Sequence, residues 1–394
     1  MSGGAEGRGA PRDRYDVAVL GAGCAGLSLL SRLGDRVSAV AFEPRTSFAR
    51  DRTWCFFQTR PSGFDSAVSH SWPAWKVRLG GRELVRTARG VKYVHIASDD
   101  FYAEALRRIA REPAIELRLG CAATRVERDG SGFVVHAAGG SARASQVFDA
   151  RPPVMTGPVP PGETRLLQHF KGLHVRADRD AFDPGVATLM DFDVSQRDGT
   201  AFVYALPFSS REALVEATWF SPSTLQDARY DEVLASWLRD RAGLSTWEVL
   251  HSERGVLPMT TESLGSDAIG GAVAIGLRGD CAKPSTGYAF LAIQRRSESI
   301  AAAVRAGRSP APPLPRPART RAVDRVFLNW LARNPSRGAE LLFNLFEKVS
   351  PASLVRFLSD EGSPADDFAV MRCVPVAEFG LESARTLPRL LRGF

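Results

Sequence analysis

Histidine and cysteine are scarce in this chain, with six and five copies among 394 residues. The cysteines (Cys24, Cys55, Cys121, Cys281 and Cys373) are odd in number, widely spaced and never paired as C-x-x-C. That excludes a disulfide framework and a zinc-ribbon pattern, so no metal is expected and a reduced, cytoplasmic setting fits best. No apolar run reaches the ~18 residues of a membrane-spanning helix, which leaves only attachment to a membrane surface open. Blocks of like charge are missing too. The net charge is +7, but the arginines are scattered, which reads as a solvated surface and not as a nucleic-acid footprint. Residues 1–13 are polar without a hydrophobic stretch, and read as a disordered tail and not as a secretory signal.

What is present is globular: 44% hydrophobic and 24% charged residues, enough for two domains of ordinary size. "YDVAVLGAGCAGLSLLSRLGDRVSAVAFEP" reads as strand, glycine-rich turn, helix, strand. Gly21, Gly23 and Gly26 fall in the G-x-G-x-x-G spacing, and Glu43 closes the second strand about 20 residues on. In such a unit the first glycine permits the turn and the second lets a pyrophosphate approach the backbone. The third packs helix on strand, and the acid receives ribose hydroxyls. This predicts a bound dinucleotide but does not separate FAD from NAD.

Further along, "DDFYAEALRRIAREP" reads as an amphipathic helix, followed by strands with turns at Asp129-Gly130 and Gly139-Gly140. Residues 164–260 alternate apolar and polar positions, which predicts an antiparallel sheet, with one helix at "RYDEVLASWLRDRAG". "AVAIGLRGDCAKPSTGYAF" returns to strand, loop and long helix, with the helix expected from about Gly287. A proline-rich linker at 309–319 precedes short amphipathic helices.

A dinucleotide unit closed this late resembles the FAD-dependent hydroxylase-type flavoproteins. The resemblance implies an α/β fold: a Rossmann-type FAD-binding domain, an antiparallel-sheet substrate domain and a C-terminal helical region. It places FAD binding on 14–55, 90–151 and 262–308, the substrate domain on 56–89 and 152–261, and the linker with helices on 309–394. It also implies that Gly279-Asp280 lies beside the flavin ribitol and that Pro284, Gly287 and Tyr288 face the ring system, with a helix dipole aimed at it. Arg52 is a candidate for the flavin or its phosphates, or else a solvated partner of Asp51.

Six segments together resemble one family, the flavin-dependent lycopene cyclases of carotenoid synthesis. They are "VLGAGCAGLSL", "DRTWCFF" (51–57), "LQHFKG" (167–172) with "LMDF" (189–192), "LVEATWFS" (214–221), "ERGVLPM" (253–259) and "GDCAKPSTGYAF". Two departures stand out. The family often has two adjacent acids before the threonine near 218, whereas here Glu216 is followed by Ala217. The late loop often carries His where this chain has Lys283. The resemblance implies β-ring closure on lycopene or a related carotene without net redox change, using reduced FAD with NAD(P)H as reductant. It also implies a peripheral membrane contact, with other carotenoid enzymes as potential partners.

That chemistry needs an acid able to protonate an alkene. Glu216, in the apolar strand "ALVEATWF", is the leading candidate, because an apolar wall keeps a carboxyl protonated. Whether the flavin or Glu216 gives the proton stays open. Asp191 and Glu253 are further acids, either in the network or paired with arginine. A carbocation also needs aromatic walls, for which Trp54, Phe56, Phe170, Phe192 and Trp219 are candidates. His169 and Lys171 are weaker. The helices containing "VFLNWL" and "LLFNLF" are candidates for the membrane contact, or else pack on the main body. The rival readings are a flavin monooxygenase or cyclase on another terpenoid, and a non-catalytic prenyl-lipid-binding flavoprotein.

Overall fold

The computed structural model describes residues 14–155, 157–265, 269–309 and 316–390. The expected tail, 1–13, and most of the 309–319 linker lie outside the described residues. The chain opens with β1 (Arg14–Leu20), α1 (Cys24–Leu30), β2 (Ala39–Glu43) and β3 (Thr53–Gln58), followed by β4 (His70–Trp72), β5 (Ala74–Leu79), β6 (Arg82–Arg86) and β7 (Lys92–Ala97). Next come α2 (Ser98–Ile109), β8 (Ile115–Leu119), β9 (Ala123–Asp129), β10 (Gly132–Ala137) and β11 (Gly140–Asp149). The middle holds β12 (Arg165–Ala177), β13 (Val186–Asp191), β14 (Thr200–Pro207), β15 (Glu212–Ser221), α3 (Asp227–Asp240) and β16 (Trp247–Thr260). The end holds β17 (Val273–Ala274), α4 (Phe290–Arg305), α5 (Ala318–Arg333), α6 (Gly338–Lys348), α7 (Pro351–Leu358), α8 (Pro364–Met371) and α9 (Val376–Leu390).

Three sheets organise these elements. The first has the order β8-β2-β1-β11-β10-β9, with β17 beside β11. Its strands β8, β2, β1, β11 and β17 run parallel. Val17 to Leu20 are fully buried, as expected of a parallel strand covered on both faces. Helices α1, α2 and α4 share one apolar core with β1, β2 and β3.

The second sheet runs β16-β12-β15-β14-β13-β5-β6. The sequence predicts an antiparallel sheet, and the strands from β16 to β13 are; the β13–β5 pair is parallel, because β5 arrives from a segment far upstream. Strand alternation gives this sheet two faces. Val203, Val215, Ala217 and Trp219 pack on α3. Phe202, Tyr204, Leu214 and Phe220 pack on the other side with α5, α6 and α7. The small sheet β3-β7-β4 bridges the two larger ones: Trp54 and Phe56 face the first core, and Phe57 and Tyr93 the second.

The C-terminal helices correct one expectation. Phe327, Leu328, Trp330 and Leu331 of α5, and Leu341, Leu342, Phe343, Leu345 and Phe346 of α6, are buried against the second sheet. The two segments expected at a membrane are therefore core, because their apolar faces cover a sheet that would otherwise be open. Among the described residues, the exposed large apolar ones of this region are Phe368 and Met371 of α8 and Val376 and Leu381 of α9. Among the described residues no helix is long and apolar enough to cross a membrane.

Candidate functional site

The glycine-rich turn meets its structural demands one residue at a time. Gly21 has φ +91°, and its N–H donates to the Phe42 carbonyl at 2.8 Å. A side chain at Gly26 would run into the Gly21 carbonyl, so helix and strand approach closely only with glycine there. A Cβ at Gly23 would meet no atom within 4 Å, which leaves open space at the N-terminus of α1. Glu43, at the end of β2, is buried and accepts the Ala22 N–H at 2.7 Å and Arg45 Nε at 2.8 Å. Burial alone would raise its pKa, but the bonds from Arg45 and Ala22 outweigh that and hold it below the usual carboxylate range. An open cradle of amide donors beside an ionised acceptor fits the diphosphate and ribose of FAD. Arg52 commits its guanidinium to Asp51, with Nη2 2.9 Å from the carboxylate.

The late segment returns to this turn. β17 pairs with the end of β11, and a Cβ at Gly276 would come within 2.7 Å of the Ala25 side chain. Cys281 and Phe290 share a core with Cys24 and Ala25. The loop then closes on itself: the Lys283 N–H donates to the Tyr288 carbonyl at 2.8 Å, and the Gly287 N–H to the Lys283 carbonyl at 2.7 Å. Part-buried Pro284 lies inside this turn, which delays the start of α4 from the expected Gly287 to Phe290. Gly279 is backed tightly by the Ala274 carbonyl, 2.6 Å from where its Cβ would be. Asp280 has φ +59°, and its carboxylate accepts the Leu264 N–H at 2.8 Å and the Ser263 hydroxyl at 3.1 Å. The Asp280 carboxylate, expected beside the flavin ribitol, is turned to the 263–264 segment. Gly287 has φ +70°, and a Cβ there would come within 2.4 Å of the Gln168 side chain of β12, so the loop lies close on the second sheet.

On that sheet two carboxyl groups meet across a glycine. Gly172 of β12 is paired with Glu216 of β15 on one side and with Glu253 of β16 on the other. Directly paired residues point to the same face, so both acids stand beside a position without a side chain. A Cβ at Gly172 would lie 3.1 Å from Glu216 Oε1 and 3.1 Å from Glu253 Cγ. Glu253 accepts the Thr53 hydroxyl at 2.9 Å through Oε2, while its buried Oε1 has no hydrogen-bond donor. A protonated Glu216 is placed to supply one. Burial first, and the Glu253 charge second, push the Glu216 carboxyl well above the usual range. Glu216 keeps some accessible surface although protein surrounds it.

The rest of the wall is aromatic. Tyr204 is paired with Glu216 on the same face. The Tyr288 hydroxyl interacts with those of Tyr93 and Tyr204, and burial pushes its pKa up to about 12, so it is a neutral phenol. The ring of Phe170 lies over Gly255, also on this face. Cys55 stands close enough that burial first, then Glu216 and Glu253, push its thiol well above its usual value.

Other predicted residues are placed elsewhere. Asp191 accepts Trp237 Nε1 at 3.0 Å and pairs with Arg241 at 3.2 Å, under α3 and away from the two glutamates. Trp219 is three residues from Glu216, hence on the opposite face, stacked with His169 and Tyr230. His169 bonds Ser221 at 2.7 Å and Tyr230 at 2.6 Å, and Lys171 pairs with Asp231 at 2.5 Å, so both serve the α3 side. Trp54 and Phe56 pack on Phe290 at 5.6 and 4.9 Å in the first core, because they alternate with Cys55. Phe192 shares the core of Tyr204 but contacts Phe202, at 5.7 Å, and so lies beyond the carboxyl pair. Gly172, Thr53, Cys55, Tyr93 and Tyr204 were missed. Tyr204 alone had a readable signal, its place in an alternating strand opposite Glu216.

Comparison with known proteins agrees with this geometry. Residues 16–383 match the family described as lycopene cyclase protein. The lycopene beta-cyclase of Pseudescherichia vulneris is 29% identical over 311 residues, 75% of this chain and 75% of the relative. The anhydrotetracycline hydroxylase OxyS of Streptomyces rimosus superimposes with a TM-score of 0.59 at 15% identity, over 88% of this chain and 75% of its own. A variant of Klebsiella pneumoniae HpxO, solved with FAD, gives a TM-score of 0.58 at 14% identity, over 88% of this chain and 98% of its own. These two likenesses establish the fold, that of the FAD-dependent hydroxylase-like flavoproteins.

Proposed function

Since this chain belongs to the lycopene cyclase family, we propose that it closes β-type rings on the acyclic ends of lycopene or a related carotene, with Glu216 and Glu253 as a carboxyl pair that moves the proton. The observation that carries the reading is the meeting of these two acids across Gly172 on an apolar, tyrosine-lined face. Two carboxyl groups this close cannot both ionise cheaply, which favours a proton held on Glu216. Glu216 Oε donates it to the terminal alkene carbon. The neighbouring double bond attacks the resulting cation and closes a six-membered ring. Loss of a proton from the ring carbon to a carboxylate restores the pair, so substrate and product are isomers.

The neutral phenols of Tyr93, Tyr204 and Tyr288 and the ring of Phe170 present electron-rich faces, which stabilise a cation by about 0.5–2 kcal/mol each. Their bulk excludes water that would trap it. Gly21, Gly23, Gly26 and Glu43 would hold the ADP half of FAD, with Arg52 near the turn. The backbone of the Gly279–Tyr288 segment would face the flavin, and NAD(P)H would supply the reducing equivalents. When bound, reduced FAD would supply electron density to stabilise the developing cation. Peripheral docking on a bilayer, through Phe368, Met371, Val376 and Leu381, would give access to the polyene.

Expression in a bacterial host that accumulates lycopene tests the proposal by pigment analysis. Monocyclic or bicyclic carotenes are expected, and Glu216→Gln should keep flavin while leaving lycopene unchanged. Unaltered lycopene with a flavin-loaded, folded wild-type protein would overturn it.

A further inference from the structure

The flavin-facing loop is tied to the C-terminal helices by charges that the chemistry above does not use. Lys283 is 0% exposed, Asp324 1% and Arg316 4%. The Asp360 side chain is 6% exposed, and its backbone is in the left-handed region at φ +57°. Lys283 Nζ lies 2.9 Å from Asp324 and 2.8 Å from Asp360. Arg316 Nε lies 2.7 Å from the second oxygen of Asp360. The same guanidinium donates to three successive loop carbonyls, Asp280 at 2.8 Å, Cys281 at 2.7 Å and Ala282 at 3.1 Å. The Ser285 hydroxyl donates to Asp324 at 2.6 Å. From α4, Arg295 reaches the Ser359 carbonyl at 3.2 Å.

Two cations and two anions are thus buried together and sum to zero. Desolvating four charges is costly, and apolar residues of similar volume would fasten two helices to a loop at least as well. Charges do what apolar packing does not: they direct donors at the carbonyls of residues 280–282 and fix the field at the loop. Asp360 remains ionised in the interior, because the attraction of Lys283 and Arg316 outweighs burial.

We propose that Lys283, Arg316, Asp324 and Asp360 form a buried, electroneutral clamp through which the C-terminal helices position the flavin-facing loop and tune the bound flavin. This rests on the reading that residues 280–288 face FAD. Lys283 and Asp360 are then positioning residues that act on the cofactor through the loop.

The test is made on the purified, full-length, flavin-loaded protein, by measuring FAD affinity by fluorescence and flavin midpoint potential by dye equilibration. Asp360→Asn leaves a surplus positive charge and should raise the potential; Lys283→Met leaves a surplus negative charge and should lower it. Each should weaken FAD binding about tenfold, the loss of one charge-assisted contact. The double variant Lys283→Met with Asp324→Asn removes one charge of each sign. It should return the potential to the wild-type value while FAD stays weakly bound, and it guards against single variants that fold poorly. Potential shifts of the same sign, or no shift with unchanged FAD affinity, would overturn the clamp. A wild-type protein that binds no FAD would instead overturn the cofactor reading beneath it.

Discussion

Replacing Glu216 with Gln examines the buried acid without relying on turnover. In an unfolded chain a glutamate releases its proton near pH 4.3. In the folded protein burial first, and Glu253 second, keep the proton on Glu216 well above that range. Between those limits the folded state holds more protons than the unfolded state. Stability is therefore intact below about pH 4.3 and falls as pH rises toward the folded value, by about 1.4 kcal/mol per pH unit for one proton. The share due to Glu253 follows from geometry. Glu216 Oε1 and Glu253 Cγ both lie 3.1 Å from one point over Gly172, so they are at most about 6 Å apart. Unit charges at about 6 Å repel by about 2.8 kcal/mol at an effective dielectric of 20. Urea unfolding of the flavin-free protein between pH 5 and 8.5, at fixed ionic strength, is the assay. Glu216→Gln should flatten the decline and be more stable than wild type at the alkaline end. Glu253→Gln should recover about the repulsion term there. Identical slopes for wild type and Glu216→Gln would refute the buried, proton-holding acid.

The two inner glycines of the dinucleotide turn should separate binding from folding: Gly23→Ala should lose flavin at unchanged thermal stability, whereas Gly26→Ala should cost about 1–3 kcal/mol in unfolding because it forces helix from strand. Gly172→Ala gains about 0.4–1 kcal/mol from a stiffer unfolded chain and loses about 1–3 kcal/mol to crowding. Its stability should thus fall, by at most about 2.6 kcal/mol, while its cyclisation rate falls and the alkaline limb of the pH–rate profile moves to lower pH as the carboxyls are pushed apart. Trp219→Phe should lower the melting temperature and leave product identity unchanged, since Trp219 packs under α3. Phe368→Ser combined with Met371→Ser should reduce co-sedimentation with anionic lipid vesicles; equal binding would place the contact elsewhere.

The parts of this protein governed by short-range rules could be read from the sequence. The β1 strand, the glycine spacing and Glu43 lie within one local unit whose geometry is set by adjacent residues, and the structure forms it with each glycine in its expected position. The acid at 216 was identifiable for a similar reason, since an ionisable group inside an apolar strand is conspicuous. What partners it was not. The register of β12 between β15 and β16 aligns Gly172 and Glu253 with Glu216, and Thr53 reaches Glu253 from β3 in another sheet, 200 positions away. The face of each aromatic was equally hidden. Trp219 and Trp54 belong to signature segments, yet alternation along β15 and β3 sends them away from the carboxyl pair, while Tyr204 and Cys55 stand beside it. The apolar stripes of α5 and α6 were legible as stripes, but sequence periodicity does not reveal whether a stripe meets lipid or a sheet. Sequence alone determined the nucleotide turn and the family chemistry. Strand register and sheet packing decided which residues stand beside the carboxyl pair, because pairing across strands is a long-range choice that burial of whole faces enforces.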